Sequence, residues 1–128
     1  MRKNVSSGSY LEPEIGFSRA VRNGQLIAVS GTAPIGKGGK TVGQGDVYRQ
    51  TQRCFEIAME ALEEAGSRLD DVIRTRIMLT DIATWKEAAR AHGEVFSRIR
   101  PACTFVEVNR FIDADWLVEI EIDAVTEA

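Results

Sequence analysis

The stretch from Trp116 to Val125 constrains the fold more than any other part of this chain, because its side chains alternate in polarity. One set is apolar and comprises Trp116, Val118, Ile120, Ile122 and Ala124, whereas the set between them comprises Leu117, Glu119, Glu121 and Asp123. A period of two is that of a β-strand, and a strand that is apolar on one side only belongs to a sheet with one covered face. We therefore expect helices on the apolar face, with three carboxylates directed away from them.

Two segments have the spacing of covering helices. Apolar residues recur at helical intervals over residues 47–65, where Asp46 can cap the start and Gly66 can supply a left-handed end. The run Thr84-Trp85-Lys86-Glu87 has the form of a capping box and starts a second helix. The connection from this second helix to the next strand ends at Pro101.

Strand patterns fill the remaining chain. Residues 18–22 and 25–30 flank Asn23-Gly24, the strongest short hairpin motif, and further strands are predicted at 72–79, about 103–108 and about 116–125. The order ββαβαββ predicts an α+β sheet with both helices on one face. We expect one domain over residues 1–128, with a loosely held arm at 1–14 and an exposed glycine-rich loop at 34–45.

Composition narrows the possible partners. The net charge is −3 and no basic stripe is present, which argues against nucleic-acid binding. No apolar run approaches the ~18–20 residues that span a bilayer, and residues 1–6 lack a hydrophobic signal core. Cys54 and Cys103 are isolated and are expected to be reduced thiols in a cytoplasmic protein. A single histidine, His92, excludes a multi-histidine metal site, and no motif implies a metal or an organic cofactor.

Several motifs, in order, carry a family likeness. They are Gly16-Phe17-Ser18-Arg19-Ala20-Val21, Asn23-Gly24, Val29-Ser30-Gly31, Glu64-Ala65-Gly66, Leu69-Asp70-Asp71-Val72, Leu79-Thr80-Asp81 and Val118-Glu119-Ile120-Glu121. Over nearly its whole length the chain resembles the Rid (YjgF) family. The resemblance implies a chorismate-mutase-like fold and a homotrimer, in which sheet faces pack into a central β-barrel and clefts lie between neighbouring subunits. From the residues alone, a face that carries Arg74 and Arg76 beside carboxylates could equally be solvated.

Position 103 departs from the pattern of that family. Members with imine deaminase activity carry an arginine two residues after the proline, whereas this chain has Cys103 after Pro101. The family arginine binds the substrate carboxylate through two parallel hydrogen bonds, each worth ~1.5–3 kcal/mol. Its loss is expected to lower kcat/KM by roughly 10²–10⁴. Arg98, Arg100 or an arginine of a neighbouring subunit could replace it, and Cys103 itself could be a nucleophile or an inert strand residue lining the cleft.

Glu119 is the strongest catalytic candidate by resemblance. In members that hydrolyse imines, the first glutamate of the Glu-Ile-Glu run positions or activates water, and a carboxylate can accept a proton from that water. The alternative is an interface ion pair with Arg74 or Arg76.

The resemblance also points to substrate-binding residues. Phe17 stands where typical members have a tyrosine, and Ala89 stands where deaminating members often have an asparagine. Ser30 and Gly31 match a Ser-Gly pair beside the cleft, where a hydroxyl and an amide could hold a substrate oxygen, or else they end a strand. His92, near Ala89, could be a proton carrier in the cleft or a helix-surface residue.

The departures from the family pattern at Phe17, Ala89 and Cys103 each make the expected cleft less polar. The sequence predicts a cytoplasmic homotrimer that binds a small metabolite and hydrolyses an enamine or imine lacking the usual carboxylate anchor. The alternative is a non-catalytic binding or regulatory module. RNA cleavage and a chaperone-like or redox role are lesser alternatives, and the acidic balance counts against the first of them.

Overall fold

The computed structural model describes residues 1–127 as a six-stranded sheet covered by helices. The strands are β1 (Arg2–Val5), β2 (Ala20–Asn23), β3 (Leu26–Thr32), β4 (Val72–Leu79), β5 (Ala102–Glu107) and β6 (Val118–Val125). The α-helices are α1 (Leu11–Ile15), α2 (Val47–Glu64) and α3 (Trp85–Phe96). The sheet order is β1-β2-β3-β6-β4-β5, and β4 pairs with β5 in parallel. The predicted α+β class is confirmed.

The N-terminal segment differs from the expected loose arm at residues 1–14. Strand β1 pairs antiparallel with β2, from Arg2 opposite Asn23 to Val5 opposite Ala20, and the Val5 side chain is buried. The following turn is held by Glu12, whose carboxylate accepts hydrogen bonds from the amide and hydroxyl of Ser7. An edge strand with one buried apolar residue has no readable alternation, so the sequence analysis missed it.

Alternation on β6 organises the core as predicted. Val118, Ile120, Ile122 and Ala124 are all buried beneath the helices, where Cys54 and Phe55 of α2 also lie. Local motifs fix the ends of elements. The Asp46 carboxylate accepts a hydrogen bond from the amide of Arg49 at the start of α2, and Gly24 and Gly66 adopt positive φ in the hairpin turn and after α2.

Two local expectations were wrong. Strict alternation along residues 72–79 predicts that Ile73 shares a face with the buried Thr75 and Ile77, yet a register irregularity between Val72 and Arg74 leaves it 53% exposed. The capping box before α3 does not form, since the Thr84 side chain accepts no capping hydrogen bond; its hydroxyl donates to the carbonyl of Asp81.

The sheet face opposite the helices carries paired charges. Arg76 Nη1 lies 3.2 Å from Glu121 Oε1, and Arg74 Nε lies 3.7 Å from Asp123 Oδ2. These side chains are about half exposed, so each isolated pair contributes at most about 1 kcal/mol.

No helix within residues 1–127 is both long and apolar enough to cross a membrane.

Candidate functional site

A cleft of about 620 Å³ opens where the N-terminal segment, the loop before β2 and the end of β3 meet. This volume is typical of small-molecule sites. Phe17 and Trp116 give the cleft apolar walls, whereas Arg19 and Glu119 bring opposite charges to it. Gly31 lies next to both charged side chains. The cleft thus combines apolar surface with a few polar groups, as a binding site requires.

A bulge in β3 shapes the centre of this cleft. The pairing of β3 with β6 is regular as far as Val29 and resumes at Thr32, so Ser30 and Gly31 fall within the irregularity. A Cβ added at Gly31 would lie 2.9 Å from Glu119 Oε1, which is closer than real Cβ contacts come. The absence of a side chain at Gly31 therefore allows the Glu119 carboxylate to lie close to the β3 backbone, consistent with the common role of glycine in strands.

The Glu119 side chain is half-buried, and its carboxylate makes no hydrogen bond or ion pair with the described residues. Burial raises the pKa of its carboxyl group, the nearby Arg19 guanidinium opposes that rise, and Glu121 adds to it. Arg74 and Arg76 pair with Asp123 and Glu121, not with Glu119. Among the described residues, no hydrogen-bond or ion-pair partner holds the Glu119 carboxylate. The interface ion pair weighed above is thus not formed within the chain, and the carboxylate is free to meet a ligand or water.

Arg19 is the polar residue that the sequence analysis did not single out. Its side chain is only 6% exposed, and its Nη1 donates to the carbonyl of Gly31 at 2.6 Å and to the hydroxyl of Thr32 at 2.9 Å. The Phe17 ring lies 5.2 Å from the guanidinium carbon, within cation–π range. Burial lowers the pKa of Arg19, and the carboxylates of Glu12 and Glu119 oppose that shift.

Ser30 supports the bulge more than it faces a ligand. Its hydroxyl donates to the carbonyl of Ser18 at 2.6 Å, and its amide donates to the carbonyl of Arg19 at 2.9 Å. Because the single hydroxyl hydrogen is used within the protein, Ser30 can only accept a hydrogen bond from a ligand.

The structure places His92 and Ala89 away from this cleft, on α3. The His92 ring shares a hydrogen bond of 2.8 Å with the hydroxyl of Thr75 and packs against Phe55 and Phe96. Burial lowers the pKa of His92. This histidine is half-buried and does not line the cleft formed by one chain.

Cys103 also lies apart from the cleft. It is exposed on β5, opposite Thr75 of β4, and two strands separate β5 from β3. The suggested replacements for the missing arginine do not line the cleft either. Arg98 pairs with Asp70 at 3.0 Å on the surface, and Arg100 is exposed with a φ of 56°.

Within residues 1–127, no three His, Cys, Asp or Glu side chains are grouped so that they could hold a metal ion.

This fold is shared by known proteins. The model for the family described as endoribonuclease L-PSP matches residues 8–126. The chain therefore belongs to this family, the Rid (YjgF/YER057c/UK114) family, and the resemblance read from the sequence motifs is confirmed.

Individual relatives agree with this assignment. The crystal structure of Rv2704 from Mycobacterium tuberculosis, a member of the YjgF/YER057c/UK114 family, superimposes with a TM-score of 0.89 at 43% identity, covering 98% of this chain and all of that one. An uncharacterized protein of Streptomyces coelicolor, SCO2049, is 41% identical over 95% of this chain and 90% of its own. The 3-aminoacrylate deaminase RutC of Acinetobacter baylyi is 32% identical over 79% of both chains.

Proposed function

We propose that this protein binds a small metabolite in the cleft and hydrolyses an enamine or imine there. The observation that carries the proposal is the unpartnered, half-buried Glu119 carboxylate, which lies against Gly31 and faces the cleft. A carboxyl group whose pKa is raised by burial is a stronger proton acceptor than an exposed one, and it can return the proton that it accepts. The relative named 3-aminoacrylate deaminase supports this class of reaction.

The chemistry needs only water and one proton carrier. Glu119 accepts a proton from water as the oxygen attacks the iminium carbon and the C=N electron pair moves to nitrogen. The same carboxyl group then returns the proton to the amine nitrogen of the carbinolamine. The C–N bond breaks as Glu119 takes the hydroxyl proton of the carbinolamine, so that ammonia leaves and a carbonyl compound remains. The released ammonia then takes this proton as ammonium, which restores the carboxylate. Phe17 provides an apolar wall that limits solvent around the reacting carbon.

The substrate is held differently from that of imine deaminases with an arginine at position 103. Cysteine is short and uncharged when protonated, so it cannot form the two parallel hydrogen bonds of a guanidinium. We propose that Cys103 joins the site only when a second subunit is present and shapes a less polar wall there.

The first experiment measures the disappearance of 2-iminobutyrate generated in situ by an amino-acid oxidase. Glu119→Gln is expected to lower kcat/KM by about 10²–10⁴, the usual contribution of a general base. Glu60→Gln is the matched control, because Glu60 is an exposed carboxylate at the rim of the same cleft. Cys103→Arg is expected to raise the rate at least ~10-fold by restoring a carboxylate anchor. Absence of turnover in both the natural protein and Cys103→Arg would contradict the hydrolase assignment.

A non-catalytic binding or regulatory module is the second candidate, and the absence of an arginine at position 103 favours it. A ligand that binds in the cleft without turnover, unaffected by Glu119→Gln, would select it. RNA cleavage is opposed by the net charge of −3 and would require RNA binding that weakens with salt. Labelling of the Cys103 thiol faster than that of a free cysteine peptide would be the first observation in favour of a redox or chaperone-like role, because exposure alone accounts for labelling at the ordinary rate.

We propose that the protein is a cytoplasmic homotrimer with the site completed between subunits. The half-exposed charged face of β4 and β6 supports packing against another copy, because paired charges of both signs are self-complementary. Light scattering after gel filtration should give three times the chain mass of 14.1 kDa. A monomeric mass at micromolar concentration would contradict this.

A further inference from the structure

We propose that Arg19 holds an anionic group of the ligand, so that the cleft takes a carboxylate-bearing imine or enamine with its reacting carbon beside Glu119. The nature of the reacting group rests on the proposed function, whereas the anion site does not. Arg19 thereby takes over, from within the same chain, part of the role that Cys103 cannot perform.

The hydrogen bonds of Arg19 are incomplete. A guanidinium carries five N–H donors, and the described residues accept only from Nη1, through Gly31 and Thr32. Nε is buried without any acceptor. Nη2 has no acceptor within the described chain either, and it is not among the atoms sealed from solvent. Nη2 is therefore the atom of this buried cation that remains available to a ligand.

The charge of Arg19 is also incompletely balanced. No carboxylate forms an ion pair with it within 4.0 Å among residues 1–127. Glu12 interacts with it at longer range but is itself occupied by Ser7, and Glu119 interacts with it without contact. A buried charge without a direct partner is strongly unfavourable, and an anionic ligand would supply that partner.

The surroundings limit how the anion binds. Because Nη1 is engaged by the protein and Nε is closed off, Arg19 offers Nη2 alone rather than a two-pronged fork. This predicts weaker anchoring than a guanidinium at position 103 would give, so we expect the protein to bind acids and to turn over the usual imino acids slowly.

Binding of a stable keto acid tests the anion site without any need for turnover. Calorimetry would compare 2-oxobutanoate with its methyl ester on the natural protein, Arg19→Gln, Arg19→Lys and Arg53→Gln. Arg53 is the matched control, because this arginine also lines the cleft but is satisfied by Glu56 and the carbonyl of Ile35. The natural protein should prefer the acid by about 10-fold or more, the effect of one charge-assisted hydrogen bond.

Arg19→Gln should remove that preference while leaving affinity for the ester within about twofold, whereas Arg53→Gln should retain it. Circular dichroism would check that Arg19→Gln is folded. If it is not, Arg19→Lys, which keeps the charge with different geometry, should show a reduced but measurable preference. Equal binding of acid and ester by the natural protein, no binding of the acid at millimolar concentration, or loss of the preference in Arg53→Gln would overturn the proposal. An Arg19-dependent preference without imine turnover would keep the anion site and remove only the hydrolase function.

Discussion

Replacing Gly31 by alanine should lower the stability of the protein slightly and its catalytic rate more strongly. The new Cβ would lie 2.9 Å from Glu119 Oε1, whereas ordinary contacts begin at 3.4 Å, so the carboxylate must move by at least 0.5 Å. Because Glu119 has no partner among the described residues, this movement breaks no hydrogen bond. We expect a loss in the free energy of unfolding of about 1 kcal/mol, the lower end of the range for overpacking.

The effect on catalysis should be larger. A displacement of about 1 Å at a reacting group can cost about 10²-fold in rate, so half that displacement should lower kcat/KM by about 10-fold. Imine hydrolysis and urea denaturation would be measured on the same preparations. Gly93→Ala is the control, since nothing lies within 4 Å of an added Cβ in this helical position. That variant should be stabilised by about 0.5–1 kcal/mol and remain fully active.

Two results would refute this reasoning. Unchanged turnover in Gly31→Ala would show that the position of Glu119 does not matter for the reaction. A loss of more than about 3 kcal/mol, beyond the usual overpacking range, would show that the carboxylate cannot yield. The effects of substituting Gly31 and Glu119 on the rate should also be coupled, because Gly31→Ala acts by moving the Glu119 carboxylate. Added to Glu119→Gln, it should lower the rate no further.

Three other predictions follow from the packing. The pKa of His92 is lowered from its ordinary value of 6.5 by burial, so the unfolded chain binds a proton first. Stability should therefore be full above pH 6.5 and fall as the pH drops from there toward the folded pKa, and His92→Gln should abolish this part of the dependence in thermal melts. A thiol reagent should label Cys103 in the native protein and the buried Cys54 only after unfolding, and two labels per native chain would contradict the packing of α2. Asp46→Ala should cost about 1 kcal/mol in denaturant unfolding through loss of the helix cap, and no change would mean that the bond to the Arg49 amide contributes nothing.

Periodic segments made the fold readable from the sequence. Alternation along β6 identified its buried face, and the first hairpin and the Asp46 cap were predicted from local chemistry. The turn itself was placed one residue too early, because Asn23 pairs with Leu26 at the end of β2 and the two turn residues are Gly24 and Gln25. Aperiodic features were missed. Strand β1 has a single buried residue, and the bulge that exposes Ile73 depends on pairing with a strand about 50 positions away, which local spacing cannot reveal.

The site was only partly readable. Glu119, Gly31 and Phe17 were placed by family resemblance, and the structure brings them to one cleft. Arg19 was missed because an arginine is almost never fully buried, so nothing in its spacing indicated a buried cation. The only available indication was its place directly before the buried Ala20, at the start of β2.

Two charged side chains of the cleft, Arg19 and Glu119, both depend on Gly31. Its carbonyl accepts the hydrogen bond from Arg19, and its lack of a side chain admits Glu119, so the β3 bulge sets both groups without letting them form an ion pair. Arg19 lowers the pKa of Glu119 against the effect of burial. Removing the charge in Arg19→Gln should therefore raise that pKa, and a reaction that needs the carboxylate should lose rate at higher pH than in the natural protein. Arg19→Lys and Arg53→Gln should leave the acidic limb of the pH–rate profile near its original position. An acidic limb that stays in place in Arg19→Gln, or moves to lower pH, would show that the group titrating in turnover is not Glu119.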